Sequence, residues 1–167
     1  MKHRAIIVLV SVFFLGAQAF AQEAPSSIAS RSGYASIGAA GGFMVDPDMS
    51  AGMVSLDYYV TDEISVGPYF HIGGSGNNSY WGVSGQAKFS AALSGNSNLR
   101  PYGTVGIGFV ELDFEDLDDD PETTYLFPVG GGMEVELTDM LSLDVGGYFH
   151  ITEDTFAGLM LGVRVLL

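Results

Sequence analysis

The 167-residue chain has no cysteine, little positive charge and, after its first twenty or so residues, no long apolar run free of charge and glycine. Each absence excludes something. Without cysteine an exported chain has to be stable without disulfides, and no thiolate can hold a metal. A membrane-spanning helix needs about 20 consecutive apolar residues, and the one sustained run, Ala5 to Ala17, falls short of that. If the chain sits in a membrane, it crosses as strands. Past residue 21 the only cations are Arg31, Lys88, Arg100 and Arg164, against 20 Asp+Glu, a formal charge of −16. With no basic patch to displace counterions from phosphates, nucleic acid is not an expected partner. The acidity does not signal disorder, because 47% of the residues are hydrophobic and the mean hydropathy is +0.29.

The start has the order of an export signal: Lys2-His3-Arg4, then the apolar run, then Ala19-Phe20-Ala21 as a small-x-small cleavage site. Residues 1–21 are therefore expected to be a signal peptide, and residues 22–33, rich in Ser and Ala with Pro25, a flexible leader. Residues 34–167 suit one domain without internal repeats.

That domain alternates bulky apolar with small or polar residues in eight stretches, the period of strands with two unlike faces. The expected strands cover 34–45, 52–60, 64–72, 80–91, 99–112, 124–137, 141–151 and 157 or so to the end. Asp46-Pro47-Asp48, Thr61-Asp62-Glu63, the Gly/Asn run 73–78, residues 94–98, an acidic stretch and Thr138-Asp139-Met140 separate them. Strands of about 9–11 residues in an even number are what an outer-membrane barrel uses. The fold expected is all-β: an eight-stranded antiparallel up-and-down transmembrane β-barrel.

A soluble lipocalin-like ligand-binding barrel shares that period with the faces reversed. Composition separates the two. A water-facing exterior wants about a quarter to a third charged residues, whereas the less apolar face here is mainly Gly, Ala, Ser, Thr and Tyr. That face is assigned to the lumen and the bulky face to lipid. Phe70, Trp81, Phe109, Tyr125, Phe127, Phe149 and Phe156 fall toward one end and are expected to form an interfacial girdle.

The lumen face also carries Asp57, Lys88, Arg100, Glu134, Glu136, Asp144 and Arg164. An eight-stranded barrel is only wide enough for side chains to fill it, so these charges are expected to pair as a polar plug in place of an apolar core. A narrow ion path is the functional alternative.

The signal, the eight strands, Arg100-Pro101-Tyr102 leading the fifth strand into Gly-x-Gly at 106–108, and Gly-x-Arg at 162–164 together resemble the small outer-membrane β-barrel family of OmpA/OmpX-like proteins. The resemblance spans residues 34–167. It implies the bacterial outer membrane as location, lipid and lipopolysaccharide as surroundings, and the barrel-assembly machinery as partner in biogenesis. Members usually end in an aromatic residue that this machinery reads; here the last residue is Leu167.

No cofactor is expected. Between Glu111 and Glu122 eight acids crowd into twelve positions, and Asp116, Asp118, Asp119, Asp120 and Glu122 are weak candidates for Ca²⁺ or Mg²⁺ at an anionic surface, although their spacing fits no defined calcium loop. His150-Ile151-Thr152-Glu153 superficially resembles the His-x-Ser and carboxylate of lipid A deacylases, with threonine in place of the serine. The reading adopted is a non-catalytic barrel with a structural or surface-interaction role. A small-solute channel, a lipid A deacylase-like hydrolase and a periplasmic lipocalin-like barrel are the alternatives.

Overall fold

The computed structural model describes residues 30–45, 48–93, 98–113, 122–152 and 155–167. The expected signal peptide and the first part of the leader lie outside these residues. Eight strands follow one another: β1 (Ala35–Val45), β2 (Asp48–Tyr59), β3 (Ile64–Ser75), β4 (Asn78–Ser90), β5 (Leu99–Asp113), β6 (Glu122–Glu136), β7 (Leu141–Ile151) and β8 (Phe156–Leu166). Each is antiparallel to its neighbours, and β1 pairs with β8, with Ile37 opposite Val165, so that the sheet closes into a barrel. Closure removes every sheet edge.

The strands run further than the sequence pattern suggested. Residues 73–75, 78 and 79, expected in a loop, continue the β3–β4 ladder until Ser75 faces Asn78 across a two-residue turn. Gly76 there has φ 60°, the left-handed conformation that such tight hairpins demand and that glycine adopts without strain. Likewise Asp48 to Ala51, expected in a turn, pair with β1. The pattern stopped short because Gly, Ser and Asn weaken the alternation without preventing a ladder that its neighbours impose.

Small residues permit the curvature. Gly42 and Gly67 face inward where the adjacent strand comes close, and a Cβ at either would overlap a carbonyl oxygen of that strand, that of Leu159 or of Leu56. Prolines interrupt the ladders locally. Pairing lapses between Ser55↔Tyr69 and Tyr58↔Val66, and again between Val105↔Val129 and Gly108↔Leu126, where Pro68 and Pro128 have no N–H to give.

One end of the barrel carries the tight turns after β2 and β6, residues 30–34 and Leu167; it is called the turn end below. The opposite end, called the loop end, carries the connection between Asp113 and Glu122. Outside, twenty-six large apolar or aromatic side chains are exposed among the described residues, from Ile37 and Leu56 to Leu161 and Val163. A surface this apolar around a whole molecule needs a nonaqueous neighbour. The inside is layered. Toward the loop end Met44, Met49, Met53, Tyr80, Val110, Leu112, Leu126, Phe156 and Met160 form one apolar cluster with Ala51, Tyr69 and Tyr148. The expected wholly polar lumen is thus polar only toward the turn end, because inward positions near the loop end hold methionine and leucine.

Candidate functional site

The turn-end half of the lumen gathers charged side chains from six strands into one ion network. The Lys88 ammonium on β4 lies 2.6 Å from Glu134 on β6 and 3.4 Å from Asp144 on β7. Arg100 on β5 donates through Nε to Glu136 at 2.7 Å. Arg164 on β8 pairs with Asp57 on β2, donates to Ser36 Oγ at 3.2 Å and comes within 3.9 Å of Asp144. All seven charged residues singled out on the lumen face meet here.

An eighth joins them. Arg31, assigned from sequence to the leader, sends its guanidinium into the mouth of the lumen. There it lies 2.7 Å from Glu134, pairs with Glu136, and donates to the Tyr59 hydroxyl at 3.2 Å. Four cations therefore meet four carboxylates, and every Lys and Arg beyond residue 21 is in the lumen. The charge count held the clue: three cations and four acids on the lumen face left one acid without a cation, and Arg31 was the remaining cation.

Tyrosines complete the network. Tyr69 donates to Asp57 at 2.9 Å, and Tyr102 bonds Asp144 and lies 3.2 Å from the Tyr148 hydroxyl. Tyr102 fits because Gly132 and Gly146 leave its phenol the space that side chains would fill. The Lys88 ammonium rests 4.2 Å above the Tyr102 ring, a cation–π contact in a water-poor setting. Satisfying each charge several times is what lets an ionic layer persist in an enclosed space.

At the turn end, Asp62 anchors the segment before β1. Its Oδ1 accepts from Ser30 Oγ at 2.8 Å, from the Arg31 amide at 2.7 Å and from the Ser32 amide at 3.0 Å. These bonds, that of the Ser30 hydroxyl foremost, hold the Asp62 carboxyl below the usual carboxylate range. A cavity of about 10 Å³, room for about one water, lies beside Arg31, Tyr59, Glu134 and Arg164.

Against the apolar cluster, beside Met53, Tyr80 and Phe156, His71 and His150 meet edge to face with ring centroids 4.8 Å apart. His71 Nε2 is 2.9 Å from Ser84 Oγ and 3.2 Å from Gln86 Nε2. His150 is buried in the lumen. Thr152 is half-buried, and Glu153 lies outside the described residues. Of the acidic-loop candidates, Asp116, Asp118, Asp119 and Asp120 lie outside them too, while Glu122 is exposed at the start of β6. Among the described residues no three His, Asp or Glu side chains are grouped to hold a metal.

Outside, Phe70, Trp81, Phe109, Tyr125 and Phe127 are exposed, and Trp81 stacks edge-on to Phe109 at 5.9 Å and donates its indole N–H to Glu111 at 3.0 Å. Phe156 does not join them. It is buried in the lumen, since the alternation that turns Met160 and Arg164 inward turns Phe156 inward as well.

A family model described as the outer membrane protein beta-barrel domain matches residues 7–165. Among solved structures, the N-terminal β-barrel domain of Pseudomonas aeruginosa OprF is similar with a TM-score of 0.68 at 17% identity, covering 83% of this chain and 100% of that one. Neisserial surface protein A gives 0.60 at 15% identity, over 79% of this chain and 95% of that one. Ail, the attachment invasion locus protein of Yersinia pestis, gives 0.53 at 17% identity, over 80% and 97%. No curated protein matches the sequence.

Proposed function

From the premise that this chain belongs to the outer membrane protein β-barrel family, we propose that it is a non-catalytic barrel of the bacterial outer membrane, stabilising that membrane or presenting its loop end for interaction. The observation that carries this is the filled lumen. An apolar cluster of twelve residues, each at most 8% exposed, stands in series with an ionic layer whose carboxylates and cations are already paired. A passage for ions would have to breach both. The exposed apolar face takes outer-membrane lipid and lipopolysaccharide as its partner, the barrel-assembly machinery inserts the chain, and the turn end faces the periplasm, as in barrels with short periplasmic turns.

Charge narrows what the loop end presents. The connections there contain Asp46, Glu115, Asp116, Asp118, Asp119, Asp120, Glu153 and Asp154, and no Lys or Arg. Ail has been seen with the heparin analogue sucrose octasulfate, a polyanion, and nothing in these connections would attract one.

The test uses the full chain, refolded and reconstituted. An unboiled sample runs faster than a boiled one on a gel, and planar bilayers containing it carry no stepwise current. Discrete conductance steps altered by Arg164→Ala would overturn the proposal in favour of a small-solute channel.

A further inference from the structure

We infer that the turn-end mouth of the lumen is a binding cradle for a guanidinium or alkylammonium group, which the chain fills with its own Arg31. The acceptors are Glu134, Glu136 and Tyr59: two carboxylates, a hydroxyl, and an aromatic face 5.3 Å from the guanidinium carbon. This is the donor–acceptor complement of a planar cation, with cation–π support. Arg31 belongs to no strand. Its side chain is enclosed, whereas its backbone hangs from the turn through the bonds of residues 30–32 to Asp62, two of the three exposed. The guanidinium is in effect a tethered ligand.

The cradle does not depend on that ligand for its shape. Glu134 is also held by Lys88 at 2.6 Å, and Glu136 by Arg100 at 2.7 Å, so both carboxylates stay aimed when Arg31 is withdrawn. Withdrawal leaves three cations against four acids, a deficit of one positive charge. Glu136 Oε2 is buried with no partner even when Arg31 is in place, and the adjoining cavity gives a small cation somewhere to enter. Displacing the segment before β1 thus uncovers a site for a univalent organic cation.

Chemical rescue tests this. Arg31→Ala in the full chain, refolded in detergent, is expected to melt at a lower temperature than the parent. Millimolar methylguanidinium should recover much of that loss, with potassium at equal ionic strength recovering none. The parent and Arg31→Ala/Glu136→Gln should not respond. The chain has no cysteine, so Arg31→Cys offers a second route, alkylated in denaturant before refolding. An aminoethyl adduct restores the melting temperature, and a carbamidomethyl adduct does not. Loss of stability without cation rescue, an equal response in the parent, or no difference between the two adducts would overturn the inference. The parent's own gel shift reports barrel closure separately, so failure of the cradle is not mistaken for failure of the fold.

Discussion

Arg31 and Glu134 are 103 residues apart in the chain and 2.7 Å apart across the barrel mouth. Lys88 holds the other oxygen of the same carboxylate, so one acid on β6 ties the segment before β1 to β4. The segment before β1 is thereby fastened to the wall opposite the seam where β1 and β8 close the sheet.

The pair Arg164–Asp57 joins β8 to β2 from inside. Arg164→Met or Asp57→Asn alone leaves a buried charge without its partner and is expected to cost about 3–5 kcal/mol, while the double variant costs clearly less than the two combined. Urea unfolding of the refolded barrel, read as a double-mutant cycle, measures this; strict additivity would show that the two do not act as a pair.

Glycine at 67 is a matter of closure. A methyl group there overlaps the Leu56 carbonyl oxygen, so Gly67→Ala is expected to cost about 1–3 kcal/mol through forced backbone shift and to cut the yield of the fast-running unboiled band. Gly85→Ala, with nothing within 4 Å of the new atom, should refold like the parent. Equal yields from both variants would contradict the curvature argument.

Trp81 is the only tryptophan, so fluorescence reads the outer face directly. In lipid vesicles its emission should be blue-shifted and quenched more by lipids brominated near the headgroup than by those brominated deep in the chain. Quenching by aqueous acrylamide as fast as for free tryptophan would place this face in water and reverse the barrel.

Acid should release the segment before β1. The folded Asp62 carboxyl titrates below its unfolded value of about 3.9. Its contribution is therefore complete above that unfolded value and is lost as pH falls through the lower, folded one. Once intrinsic exchange rates are allowed for, the Arg31 and Ser32 amides should keep their hydrogen-exchange protection at pH 6 and lose it at the acid end. Asp62→Asn should weaken protection at pH 6 and remove the dependence. An unchanged profile in that variant would show that Asp62 is not the anchor.

Much of the site was legible because alternation carries two facts at once. In a strand the parity of a residue decides its face, so Asp57, Lys88, Arg100, Glu134, Glu136, Asp144 and Arg164 were assignable to one side before any contact was known. Phe156 shows the same rule ignored: end-of-strand position suggested the girdle, and parity put the ring in the lumen. Arg31 was hidden for a different reason. It lies outside any periodic segment, and only the unbalanced charge of the lumen face pointed to it.

What the residues determined by themselves is local: eight strands, which face each side chain takes, and an interior too sparing of bulk to be anything but narrow. These follow from a two-residue period and short-range turn chemistry. Pairing belongs to the tertiary structure alone. Which carboxylate meets which cation, that Pro68 and Pro128 fall where a ladder lapses, and that methionines and Phe156 collect at one end while the ions collect at the other all depend on stagger between strands and on closure of β1 against β8. Those are long-range constraints, met by packing side chains into a space that exists only once the barrel is shut.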